Sequence, residues 1–116
     1  MILESGPQMA LVRACNQSDV PPGAVMMVKA GGKDLVLSNI EGTFYAMDNW
    51  CTHEQGNLSE GQLNGNVLTC PDHGAQFDVK TGKVLGGPDG DSPDTIQPEK
   101  TYKVTVQGDD VMIEIP

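Results

Sequence analysis

The sequence predicts an all-β fold of antiparallel strands, arranged as stacked sheets (a sandwich) or a small barrel. Three observations carry this. Apolar residues come in short runs broken by turns, with fourteen glycines and eight prolines spread over 116 residues. The last runs alternate with the two-residue period of a half-buried strand. No window of ten or more residues combines helical periodicity with freedom from glycine and proline.

In chain order, LVRAC (11–15) runs into the turn-rich NQSDVPPG (16–23). VMMVK (25–29) and LVLSNI (35–40) flank AGGKD, where Gly31 and Gly32 suit a tight hairpin. Glu41–Gly42 turns the chain into TFYAMD (43–48). QL (62–63) and NVLTC (66–70) flank Asn64–Gly65, the strongest two-residue hairpin signal present. QFDV (76–79) and KVL (83–85) flank Thr81–Gly82, and YKVTV (102–106) and VMIEI (111–115) flank a turn at Gly108. In this last pair Val104, Val106, Val111, Ile113 and Ile115 are expected to face a core, with Lys103, Thr105, Met112 and Glu114 facing outward. LGGPDGDSPDTIQPE (85–99), with four acids and no base, is expected to be an exposed acidic loop.

The length fits one domain. With 38% hydrophobic and 4% aromatic residues the core is modest, so a group that staples the fold would be welcome. Sixteen acids against seven bases give a formal charge of −9. That argues against nucleic acid and against anionic membrane surfaces, both of which select lysine and arginine. Electrostatics favours a partner with a basic docking face, although solubility accounts for most of the acids. MILESGPQMA has neither the basic segment nor the apolar run of a signal peptide, and no stretch is long enough to span a bilayer. The expectation is a soluble, cytoplasmic protein. Three cysteines, an odd and sparse set, make a poor disulfide framework.

The only two histidines and two of the three cysteines fall in CTHEQG (51–56) and CPDHGA (70–75). The pattern is Cys51-x-His53, a spacer that folds back at Asn64–Gly65, then Cys70-x-x-His73. Two thiolates and two imidazoles complete a four-ligand set, for structural zinc or for a [2Fe–2S] centre with two histidines on one iron. Zinc sites usually pair like with like, whereas each loop here supplies one sulfur and one nitrogen. That mixture suits a two-metal cluster. A Cys–His catalytic pair would leave one such set without a task.

C-T-H at 51–53 and C-P-D-H-G-A-Q-F-D at 70–78 resemble the two cluster-binding boxes of Rieske proteins, most closely the small Rieske-type ferredoxins, and the likeness covers nearly the whole chain. It implies a base domain of about 1–48 and 91–116 and an inserted cluster-binding subdomain of about 49–90, with GGPDG (86–90) as a proline-containing loop over the cluster. Cys51 and Cys70 would hold the inner iron, and His53 and His73 the outer one, through ring nitrogens close to solvent. Gly56 and Gly74 would let the backbone approach sulfide. The implied function is one-electron transfer by a monomer, from a flavin-containing ferredoxin reductase to a terminal, aromatic-ring oxygenase. Four protein ligands leave neither iron open to a substrate, so the chain is expected to be a carrier rather than an enzyme. A small Rieske subunit of a nitrite reductase and a structural zinc module stand as alternatives.

Two departures from the respiratory Rieske pattern bear on the potential. The extra cysteine of each box, joined there as a disulfide, is matched here by Gly56 and Asp72. The serine and tyrosine that bond to cluster sulfurs are matched by Ala75 and Phe77. Lost donors and an added anion disfavour reduction, so a midpoint on the order of −150 mV, the low end of the Rieske range, is expected. Charge counting also predicts a midpoint that falls as pH rises through the ring-proton pKa values of the oxidised form. Cys15 reads as a small buried apolar side chain, Trp50 as core packing or as a shield for the cluster, and Met26, Met27 and Met47 as core or surface filler.

Overall fold

The structure, a computed structural model, describes residues 10–52 and 56–116. Among these, eleven strands form three antiparallel sheets, joined by single 3-10 turns. The strands are β1 (Ala10–Asn16), β2 (Val25–Ala30), β3 (Lys33–Ile40), β4 (Thr43–Asp48), β5 (Gln62–Asn64), β6 (Val67–Thr69), β7 (Gln76–Asp78), β8 (Val84–Gly86), β9 (Thr101–Tyr102), β10 (Val104–Gln107) and β11 (Asp110–Ile115). The first sheet runs β1-β11-β10, the second β2-β3-β4-β9 and the third β5-β6-β7-β8. The expected all-β, antiparallel class is what forms.

The run Leu35-Val36-Leu37 explains the stacking. All three side chains are fully buried, although they alternate between the faces of β3. Leu35 and Leu37, with Phe44 and Ala46 of β4, join Cys15, Val111, Ile113 and Ile115 in one apolar cluster against the first sheet. Val36 and Met47 point the other way, into a second cluster with Leu58, Leu68, Phe77, Val79 and Val84. The second sheet is therefore the middle layer, covered on both faces, and the third sheet stands on it.

Hairpin pairings Ala30↔Lys33 and Ile40↔Thr43 place Gly31–Gly32 and Glu41–Gly42 in two-residue turns, as expected. The β5–β6 turn differs by one residue. Asn64 pairs with Val67, so the turn is Gly65–Asn66. Gly65 alone carries a positive φ, 63°, which fits glycine in the first position of a type II′ turn better than an Asn–Gly pair with both residues left-handed. Val106 also departs from its expected core position. It is 42% exposed on β10, an edge strand, beside the Gly108 turn, where the strand has run past the cluster. Val111, its partner on the central strand β11, is fully buried. Cys15 is buried, as expected, and burial pushes its thiol pKa up.

Candidate metal centre

The first loop stands on Asn49, which is fully buried just beyond β4. Its Nδ2 donates to Asn57 Oδ1 at 3.0 Å, and its Oδ1 accepts from Ser59 N–H at 3.1 Å. Its carbonyl accepts from Leu58 N–H at 2.9 Å. Trp50 and Asn57 form an isolated antiparallel bridge, and Cys51 N–H donates to the Gly56 carbonyl at 2.8 Å. Cys51 and Gly56 are thus held together on a hydrogen-bonded stem. The second loop repeats the device: Cys70 N–H donates to the Ala75 carbonyl at 2.8 Å, and Gly74 N–H to the Cys70 carbonyl at 3.1 Å. Cys51 and Cys70 both belong to the second apolar cluster, and none of the three cysteines is in a disulfide.

Gly56 shows how closely the loops meet. A Cβ built there would lie 2.6 Å from Cys70 Sγ, 2.9 Å from Asp72 Oδ2 and 3.2 Å from Asp72 Cγ. Only glycine fits against that sulfur. The same distances show that positions 56 and 72 face one another, and with glycine and aspartate there no disulfide can bridge the loops. Gly74 is required for a different reason, a φ of +77°, since a Cβ there would meet no described atom.

His73 sits at the rim. Its side chain is 38% exposed, and its Nδ1 lies 3.4 Å from Asp89 Oδ2. The Asp89 N–H also donates to the His73 carbonyl at 2.6 Å, so GGPDG packs on the second loop, with Gly87 and Pro88 buried. His53 lies outside the described residues. Among the described residues, no three of His, Cys, Asp and Glu gather as they would around a single ion. Ala75 and Phe77 are buried in the same cluster as the thiols and bring no hydroxyl to it.

Two sequence readings need correction. Trp50 is 41% exposed rather than packed in the core, and its indole N–H donates to Asp34 Oδ2 at 3.2 Å. That bond and a 2.7 Å contact from Lys29 Nζ hold the Asp34 carboxyl below its ordinary range. Charge at the adjoining surface, not apolar packing, sets its position. The second correction is Glu99, taken as part of an exposed acidic loop. It is buried, and its Oε2 accepts from Thr52 N–H at 2.9 Å. Burial pushes its carboxyl pKa up to about 8, the Thr52 bond pulls it down, and nearby Asp48 pushes it up again. Nothing in its sequence neighbourhood signals this, since its burial comes from the contact of its backbone with Gly82.

Two buried thiols and a partly exposed imidazole, on adjoining loops of an all-β scaffold, are the donor types found in small metal-binding β-proteins. The chain belongs to the Rieske [2Fe–2S] domain family, whose model matches residues 10–102. Its cofactor is accordingly a [2Fe–2S] cluster. The donor chemistry fits that group, as does the close approach of Gly56 to Cys70 Sγ. The chain is 41% identical over 97 residues to the ferredoxin component of the naphthalene 1,2-dioxygenase system of Pseudomonas aeruginosa, covering 84% of this chain and 88% of that one. It is 36% identical over 107 residues to the biphenyl dioxygenase ferredoxin subunit of Pseudomonas sp. (strain KKS102), covering 91% and 93%. A chain in the solved complex of reduced oxygenase and oxidized ferredoxin of carbazole 1,9a-dioxygenase superposes with a TM-score of 0.76 at 33% identity, covering 89% and 91%. Among the described residues, no helix is long and apolar enough to cross a membrane.

Proposed function

We propose that this chain is the mobile one-electron carrier of an aromatic-ring dioxygenase system, working in the cytoplasm between a flavin-containing reductase and a terminal oxygenase. The observation that carries this reading is the meeting of the two loops at Gly56, with a buried thiol in each loop and a partly exposed imidazole in the second. Cys51, His53, Cys70 and His73 are the residues that would hold the cluster. When bound, the cluster supplies a reversible one-electron couple. The chain's own part is to keep the thiols in an apolar cluster away from water, close each loop on its cysteine N–H, and present His73 at the surface where a partner can dock. The relatives named as ferredoxin components, and the carbazole complex with its oxygenase, supply the partner class. We assign about 49–90 to the cluster-binding subdomain and about 1–48 and 91–116 to the base. The confinement of β5–β8 to residues 62–86 supports this division.

The test is an EPR spectrum of the dithionite-reduced holoprotein, with iron and acid-labile sulfide determined on the same sample. Mixed histidine and cysteine ligation is expected, and Cys51→Ala, His53→Ala, Cys70→Ala and His73→Ala should each abolish or alter the signal. Iron without sulfide, or an all-cysteine spectrum, would overturn the ligand assignment.

A further inference from the structure

Glu99 is the one acid of the 85–99 segment that the fold buries, and three parts of the molecule converge on it. Its backbone belongs to the third sheet's side. Glu99 N–H donates to the Gly82 carbonyl at 2.9 Å, and a Cβ on Gly82 would lie 2.1 Å from the Glu99 carbonyl oxygen, so the β7–β8 hairpin grips this residue at a spot only glycine permits. The next residue belongs to the middle layer, since the Lys100 carbonyl accepts from Asp48 N–H at 3.0 Å at the end of β4. The side chain reaches a third part, the first ligand loop. Glu99 Oε2 accepts from the N–H of Thr52, while Thr52 Oγ1 donates to the Gln97 carbonyl at 2.6 Å.

Thr52 stands between Cys51 and His53. The two bonds therefore fix the peptide that links one assigned sulfur ligand to one assigned nitrogen ligand, and they do so from a segment distant in sequence. A carboxyl group is expensive to bury, and an apolar side chain would fill the space at lower cost. Its retention here is explained by the N–H it satisfies. We infer that Glu99 is a positioning residue for the first ligand loop, holding Cys51 and His53 in register with the second loop by accepting from Thr52 N–H. The inference rests on the assignment of Cys51 and His53 as ligands.

The experiment compares the wild-type holoprotein with Glu99→Leu, which removes the acceptor, and Glu99→Gln, which keeps one. Three quantities are read: the EPR g-values of the reduced protein, the anaerobic rate of cluster loss to an iron chelator, and the thermal midpoint. Glu99→Leu should shift the g-values and speed cluster loss about tenfold or more, the range expected for leaving the Thr52 N–H without its acceptor. Glu99→Gln should restore both to near wild type. The thermal midpoint of Glu99→Leu should not fall in step, because the substitution also removes a desolvated carboxyl; a merely structural role would move all three together. Should Glu99→Leu fail to fold, Glu99→Asp, which draws the acceptor back from Thr52 N–H by one methylene, should still speed cluster loss about fivefold. Wild-type spectra and loss rates in Glu99→Leu, or in Glu99→Asp where that variant stands in, would overturn the inference, as would a Glu99→Gln protein as impaired as Glu99→Leu. A wild-type protein lacking iron and sulfide would instead sink the ligand assignment.

Discussion

Gly56→Ala is the sharpest single perturbation of the site. The added methyl carbon would sit 2.6 Å from Cys70 Sγ and 2.9 Å from Asp72 Oδ2. Ordinary non-bonded contacts lie near 3.5–4.0 Å, so the sulfur or the loop must move by about 1 Å. Asp72 is exposed and can swing aside, whereas Cys70 is 3% exposed and tied by its own N–H to Ala75. The displacement therefore falls on a ligand candidate, and it exceeds the roughly 0.5 Å within which such a constellation keeps its geometry. Overpacking of this kind costs about 1–3 kcal/mol. Gly108→Ala, at the β10–β11 turn of the first sheet, is the matched control, because its methyl meets nothing within 4 Å and its cost, about 1–2 kcal/mol, is only that of a left-handed alanine. Iron and sulfide content, with visible circular dichroism, should show Gly56→Ala losing cluster or changing its spectrum, and Gly108→Ala holding a wild-type spectrum at lower thermal stability. A Gly56→Ala protein with full cluster content and an unchanged spectrum would refute the close approach on which the site rests.

Ala75→Ser with Phe77→Tyr should raise the midpoint, by on the order of 40 mV per hydroxyl if each new bond is worth about 1 kcal/mol to the reduced state; a potentiometric titration checks this, and a wild-type midpoint well above zero would contradict the reasoning. Because Asp72 and Asp89 lie on the exposed rim, the wild-type midpoint should drift upward as salt is raised from about 0.01 to 1 M, where the screening length shrinks from about 30 to 3 Å; a flat response would show that these carboxylates do not act on the couple. Asn49→Ala removes two buried hydrogen bonds beneath the first loop, while Ser59 and Asn57 still bond to one another, and at about 0.5–1.5 kcal/mol per bond it should cost about 1–3 kcal/mol in denaturant unfolding of the holoprotein. Glu99 carries a proton more tightly when folded, with its pKa pushed from 4.5 to about 8, so the folded state binds more protons between those values and stability falls as pH rises through them. At most about 5 kcal/mol is at stake, reduced by solvent screening, and Glu99→Gln should flatten the profile between pH 5 and 9.

Strands and turns were legible because each rests on local chemistry: alternation in β11, glycine pairs at the β2–β3 turn, an apolar triplet in β3. The boxes around Cys51 and Cys70 were legible for a similar reason, since scarce residue types at fixed spacing need no tertiary context. What escaped depends on where a residue ends up. Val106 obeys the strand period, yet it lies on an edge strand beyond the core. Trp50 carries a large apolar ring but is drawn to the surface by Asp34. Glu99 sits among exposed aspartates in sequence, and only the Gly82 hairpin, visible in three dimensions, carries it inside. Similarly, nothing in the sequence distinguishes the crowded Gly56 from Gly74, which is glycine for its backbone angle.

Each strand of the third sheet spans only three residues, too little for a sheet to be stable alone. The rigidity that an electron carrier needs, so that its ligands stay put as charge comes and goes, must be borrowed from elsewhere. Val36 and Met47 provide one support by extending the middle layer into the cluster that also contains Cys51 and Cys70. The Asn49 stem provides a second at the point where the chain leaves β4. The chain's return provides the third, since Gly82, Glu99, Lys100 and Asp48 tie the far side of the subdomain to the base just before β9 begins. These supports act on different edges of the two loops. Weakening one should therefore loosen the ligands it holds before it melts the base sheets, whose own cluster of Leu35, Leu37, Val111 and Ile113 shares none of these residues.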